Sequence, residues 1–288
     1  MTERLAEVSA RLDTVRQLGM VVGAMRGMAA ARAQQSRNLL PAIRTYAQVA
    51  LDAMAQALSL MPPGDPAPPV RGGAAGLVAF CGEQGFAGAF TERVLDALAA
   101  RQDGSVLFLI GTRGTARAAE RGLAAVWSAP MASHVDGLPR LARRLGEAVY
   151  AAIRDRGLAR IDLMLPDWSP ERGLRVETRA LLPLDYRRFA RRPASQPPLV
   201  NLPPATLVEG IAEEYVHALL QEAVAIAFAA ENEARVAAMA SARSNIDRML
   251  AELSAEERQI RQDSITAEVI ELASAARSAS QRSHTDGR

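Results

Sequence analysis

One cysteine, Cys81, stands among 288 residues, so no disulfide can close within the chain and a reducing compartment is expected. Lysine is missing altogether, and all 34 basic residues are arginine. That excludes the phosphate-gripping loop whose last glycine is followed by lysine. Aromatic residues make up only 4%, few for one large core but natural for helices packed through Ala, Leu and Val. A net charge of +2 argues against wholesale binding of nucleic acid or of an anionic membrane surface. No apolar run approaches the roughly 20 residues of a membrane span, so direct insertion is not expected. Thr2-Glu3-Arg4 leads straight into a helical pattern rather than a secretory leader. A soluble, cytoplasmic protein is the expectation.

What the chain does have is helix at both ends. From Pro204 to about Ala279 no further proline occurs, and Ala, Glu, Arg, Leu, Ile and Met dominate. Pro203-Pro204 suits a first helical turn, whose amides have no helical partner. Apolar residues recur at helical spacing as Ile211, Tyr215, Leu219 and Ile226, then Ile246, Met249 and Leu253, then Ile265, Val269, Leu272 and Ala276. At 1.5 Å per residue such a helix is a shaft of roughly 110 Å, too long to stand without a partner. The N-terminal stretch supplies one. Leu5, Val8, Leu12 and Val15 follow heptad spacing, and the run continues as Leu18, Val22, Met25 and Ala29, with an extra three-residue step that reads as a stammer. Pro41 is expected to kink this helix or mark its weak point. Ser254 to Glu257 has the form of a capping box within the run.

Between the helices the pattern changes. Met61 to Pro69 carries five prolines and reads as a stiff linker. Strands are predicted over 76–81, 105–111 and 161–165, the last closed by Pro166, with an edge strand over 174–178. Helices are predicted over 91–98, with Thr91 as cap, over 112–121, and over 138–156, stopping at Gly157. Strands alternating with helices imply a mostly parallel sheet with helices on its faces. The expected fold class is therefore α/β: a long antiparallel coiled coil of the terminal helices plus a small Rossmann-like α/β domain. The expected parts are a helix over 1–60, the α/β domain over 72–183, an Arg/Pro-rich connection over 184–203, a helix over 204–279 and a fraying polar tail over 280–288.

Chemistry-bearing motifs are scarce. Gly82 to Gly88 lies between a predicted strand and helix, where a phosphate-binding turn would sit. Its Gly-x-x-Gly-x-x-Gly spacing matches neither nucleotide fingerprint, and no bound cofactor is expected. His134, His217 and His284 are scattered without a second ligand at helical spacing, so no metal site is expected. Cys81 and Ser133-His134 lack triad partners, and no catalytic residue is assigned. Arg187, Arg188, Arg191 and Arg192 read as a solvated basic loop, or as a contact for an acidic partner.

Arg261-Gln262-Asp263-Ser264-Ile265-Thr266-Ala267-Glu268 resembles the C-terminal signature of the gamma subunit of F-type ATP synthases. Glu231, Arg235, Met239, Ala242 and Asn245 fall at that family's spacing, and Ala24-Met25-Arg26 with Ala29 to Arg32 resembles its N-terminal run. In the glycine turn Gly85, Gly88 and Phe90 match, while Glu83, Gln84, Ala87 and Thr91 replace the family's Asp, Arg, Cys and Asn. The likeness covers both helices and part of the middle, in a divergent member that lacks the two-cysteine switch of the chloroplast branch.

The resemblance implies a non-catalytic rotor, the central stalk of a proton- or sodium-translocating ATP synthase or ATPase. Its implied partners are the alpha and beta subunits of the catalytic hexamer, the epsilon subunit and the c-subunit membrane ring. The implied location is the cytoplasmic face of a bacterial inner membrane, peripherally. The implied partner-binding residues are Met25, Arg26, Arg32, Gly85, Gly88, Arg261, Gln262, Thr266 and Glu268. Arg261 and Gln262 would hydrogen-bond a loop of a surrounding subunit. The alternatives are a coiled-coil scaffold with a Rossmann-like ligand-binding head, and, less favoured, a stand-alone enzyme using the glycine turn.

Overall fold

The computed structural model describes residues 2–61, 73–101, 104–185, 189 and 199–285, with side chains from 4 to 274. The proline linker and most of the Arg/Pro-rich connection, its four arginines included, lie outside the described residues. In chain order the elements are α1 (Thr2–Ser59), β1 (Ala74–Phe80), α2 (Phe90–Arg101), β2 (Val106–Ile110), α3 (Thr112–Glu120), β3 (Ala125–Ala129), α4 (Leu138–Arg156), β4 (Leu158–Ser169), β5 (Gly173–Leu182) and α5 (Pro204–Thr285). The chain forms two compact units, one of α1 up to Arg26 with α5 from Met239, the other of residues 27–238.

In the first unit α1 and α5 run antiparallel. Arg4 pairs with Glu256 at 3.3 Å, and Arg243 donates to the Gly19 carbonyl at 3.3 Å, so rising numbers on one helix meet falling numbers on the other. The buried seam of α1 is Val8, Leu12, Val15, Gly19 and Val22, steps of four and three without interruption. Leu18 was expected in that seam and is 51% exposed. The expected stammer is therefore absent. Gly19 holds the position because it has no side chain: a Cβ there would meet Arg243 and Ile246 at 3.3 Å. On α5 the buried residues Met239, Ile246, Leu253 and Ile260 recur every seventh position, and Met249, expected inside, is 40% exposed. α5 is unbroken through Ser254–Glu257 and continues to Thr285, six residues past its expected end. No proline or glycine stops it before Gly287.

In the second unit a five-stranded sheet has the order β3-β2-β1-β4-β5, parallel except for antiparallel β5 at one edge. Side chains of β1 alternate between two cores, as strand pleating requires. Val78 and Phe80 join Phe108, Ile110, Ile161 and Leu163 beneath α4 and α5, which contribute Leu141, Leu145, Val149, Leu220, Val224 and Phe228. Leu77, Ala79 and Cys81 face α2 and α3 with Leu107 and Leu109, packing on Phe90, Val94 and Leu95. α4 ends at a left-handed Gly157, as the sequence leads one to expect.

Three details depart from expectation. Thr91 is not a cap, because the helix has already begun at Phe90 and Thr91 is buried. Pro166 does not end β4, which continues by pairing with β5 as far as Ser169 opposite Gly173. β1 pairs with β4 only to Met164, so one edge of β4 is open where the proline sits. β3 had no sequence-based assignment. Val126 and Trp127 between Gly122 and Pro130 were its signal, weakened by Ser128 and a length of five.

α1 stays helical across Pro41, and its hold on α5 in this unit is polar as well as apolar. Ser36 donates to the Ala225 carbonyl at 2.8 Å, Arg44 to Glu222 at 2.8 Å, and Arg37 pairs with Glu233.

Candidate functional site: the glycine turn and the signature helix

The sheet positions the glycine turn. β1 ends at Phe80, and Cys81 closes the ladder by donating its amide to Ile110 at 2.8 Å. The turn then passes close under α3. Gly114 donates to the Gly82 carbonyl at 3.0 Å, and a Cβ on Gly114 would lie 1.9 Å from that of Cys81. Only glycine allows the helix this near. Gly111, at φ 109°, lets the chain enter α3 directly from β2, where a Cβ would meet the Cys81 carbonyl at 2.5 Å.

Glu83 is the hinge pin of the turn. Its carboxylate accepts the Thr112 amide at 2.8 Å, the Thr112 hydroxyl at 2.9 Å and the Met131 amide at 2.9 Å. The start of α3 and the chain just after β3 are thus tied to one side chain. The negative charge at a helix N-terminus is also well placed for the dipole.

The amides of Glu83 and Gln84 point not at an empty cradle but at Glu231 of α5. They donate to its carboxylate at 3.1–3.2 Å. Arg235, one turn along α5, binds Glu231 at 2.6 Å, the Gly85 carbonyl at 3.2 Å and Asn232 at 3.1 Å. Asn232 in turn donates to the Phe228 carbonyl at 2.8 Å. Glu231, Asn232 and Arg235 are all buried. A buried carboxylate needs donors such as these in place of those it leaves behind in water. Its field reaches Cys81: burial first, then the Glu231 charge, push that thiol up to about 12. A nucleophilic thiolate is disfavoured there.

The sequence-derived site residues do not gather in one place. Gly85 and Gly88 lie in the turn, Gly88 at φ 59° with its open side toward Ala238. Between them Phe86 is 68% exposed at φ 63°, a conformation costly for an aromatic residue. Arg32 is half-buried on α1 in the same unit. Met25, half-buried, and Arg26, exposed, belong to the other unit, as do the α5 residues. Arg261 pairs with Glu257 at 3.1 Å but keeps 63% of its side chain in solvent. Gln262 and Glu268 are exposed, and the Thr266 hydroxyl turns back to the Gln262 carbonyl at 2.9 Å. Beside them Ile265, Val269, Ile270 and Leu272 are 56–71% exposed.

Elsewhere the surface of the described residues offers little chemistry. A groove of about 420 Å³ between α1, α5 and the β4–β5 ribbon is lined by Arg37, Arg44, Trp168, Arg179 and Glu233, with Arg37 and Arg44 already paired to carboxylates. Among the described residues no group of three or more His, Cys, Asp or Glu could hold a metal ion. No described helix is long and apolar enough to cross a membrane.

The family model described as ATP synthase matches residues 4–278. The chain belongs to the ATP synthase gamma-chain family. It is 27% identical to the ATP synthase gamma chain of Saccharopolyspora erythraea across 93% of this chain and 95% of that one. Identity to the gamma chain of Parafrankia sp. is 24%, across 96% and 98% of the two chains. Among solved structures, a chain of the Euglena gracilis mitochondrial ATP synthase, in an OSCP/F1/c-ring assembly, superposes with a TM-score of 0.63 at 14% identity, covering 96% of this chain and 94% of that one. The rotor of the same enzyme gives 0.61 at 12% identity, covering 92% and 100%. Gamma-family membership makes this chain a subunit of an ATPase complex, and the scaffold alternative is not favoured.

In the sequence Glu231 and Arg235 are legible only as members of a spaced motif. That the turn's anion is supplied by the chain itself was not legible, because the two partners stand some 148 residues apart.

Proposed function

We propose that this chain is the non-catalytic axle of a bacterial F-type ATP synthase, peripheral on the cytoplasmic face of the inner membrane. In this reading the coiled coil stands inside a hexamer of alpha and beta subunits. The α/β domain contacts the epsilon subunit and the c-ring. The observation that carries it is the row Ile265, Val269, Ile270 and Leu272, large apolar side chains left in solvent on α5 beside the Arg261–Glu268 signature. Contiguous exposed apolar surface marks an interaction site, and an apolar bearing slides without directional bonds to break.

Arg261, Gln262, Thr266 and Glu268 are the polar catch beside that bearing, and Met25, Arg26, Arg32, Gly85 and Gly88 are further partner contacts. An asymmetric axle touches three otherwise equivalent catalytic sites differently and so biases their open and closed states differently. Ion flow turns the axle, and the sites pass through binding, synthesis and release. The chain needs no nucleotide of its own, since Glu231 already occupies the turn's donors.

The test is co-expression with alpha and beta subunits of the same organism, followed by size exclusion and ATPase assay. One copy of this chain per three alpha and three beta, with turnover that depends on it, is expected. Elution of the chain alone, with alpha and beta unaffected, would overturn the reading. In the assembled complex Arg261→Ala with Gln262→Ala is expected to lower turnover or coupling about tenfold, with both helices intact by circular dichroism. Unchanged activity would remove these residues from the site.

A further inference from the structure

We infer that Glu231, locked by Arg235, is a built-in anionic ligand of the glycine turn, and that this latch fixes the α/β domain to α5 so that the two turn as one body. The inference rests on the rotor reading above. A domain that carries torque must not slip around the helix it drives, and apolar packing alone resists slip poorly. Val216, Leu220, Ala223, Val224 and Phe228 hold α5 to the sheet side by burial, which is non-directional. Charge-assisted hydrogen bonds are directional and fix the rotational phase of the helix.

The latch is anchored at both ends. On the helix side Arg235 is held by Glu231 and Asn232, and Asn232 by the backbone of the preceding turn. On the domain side the turn gives two amides to Glu231 and one carbonyl to Arg235. Glu83 then carries the load onward, since its amide binds Glu231 while its carboxylate holds Thr112 and Met131. Force on the turn therefore enters the sheet through α3 and the chain after β3, not through a free loop. The geometry that would cradle a phosphate elsewhere here cradles the shaft.

The latch is a positioning device, so the readout is coupling rather than turnover. The experiment uses the assembled ATP synthase in sealed vesicles, measuring ATP hydrolysis and ATP-driven ion uptake in parallel. For Glu231→Ala, uptake per ATP hydrolysed is expected to fall about threefold or more while hydrolysis stays within about twofold. Glu231→Gln keeps the shape and removes the charge, and is expected to fall in the same direction. It decides the matter if the alanine variant does not assemble. Equal loss of uptake and hydrolysis in the assembled variants, or no loss in either, would overturn the latch while leaving the rotor reading intact. If the wild-type chain neither assembles nor is needed for turnover, the rotor reading fails first and the latch with it.

Discussion

Replacing Gly114 with alanine tests how closely α3 presses on the end of β1, and so what holds the glycine turn. The added Cβ would sit 1.9 Å from the Cys81 Cβ, 3.0 Å from its Sγ and 3.3 Å from its Cα. Carbon atoms rest at roughly 3.5–4.0 Å, so helix and strand would have to separate by about 1.6 Å or more. They cannot do so freely, because Cys81 is tied to Ile110, Gly114 to Gly82, and Thr112 to Glu83. Overpacking of this kind costs about 3 kcal/mol, offset by about 1 kcal/mol of helix propensity gained over glycine. A net loss of about 2 kcal/mol in unfolding free energy by urea titration is expected. Cys81→Gly removes the obstructing atoms and leaves the new methyl facing only the Cα. The double variant should therefore be about 3 kcal/mol more stable than the sum of the single losses implies, since the relieved overpacking is the whole of the coupling. A Gly114→Ala chain within about 0.5 kcal/mol of wild type, or additive single and double variants, would refute the argument.

The phase of the seam separates two leucines six residues apart. Leu12→Ala is expected to cost about 2–4 kcal/mol in the same titration and Leu18→Ala less than about 0.5, because Leu12 is 1% exposed and Leu18 51%; equal losses would restore the stammer. Cys81 should resist alkylation: with its thiol pushed from 9.0 up to about 12, the native chain at pH 8 is expected to react roughly a thousandfold more slowly than the unfolded chain. The folded state holds that proton more tightly, so the associated stability is complete below pH 9 and is lost as pH rises from 9 toward 12. Mass-spectrometric labelling against urea checks the rate, and comparable labelling of native and unfolded chain would show that the thiol is neither buried nor raised.

Helix at both ends and an α/β middle follow from local physics. The run of Ala, Glu, Arg and Leu after Pro204 has no breaker, so it is helix whatever it packs on. The apolar strands of the middle, bounded by Gly and Pro, likewise declare themselves through composition. The signature around Arg261 is a linear motif, readable without coordinates.

Phase and partnership are another matter. Leu18 and Gly19 compete for one seam position, and hydrophobicity alone favours the leucine. Only the presence of Arg243 and Ile246 opposite makes the glycine the inner residue. Pro166 reads as a terminator until β5 folds back and shows that one edge of β4 is open there. The glycine turn reads as a poor phosphate site until Glu231 arrives from α5. Neighbours along the chain determined which segments become helix or strand, because propensity and periodicity act within a few residues. Which face is buried, which polar group is satisfied and what fills the turn were decided by tertiary structure alone, because those terms depend on atoms that meet only after the chain has folded.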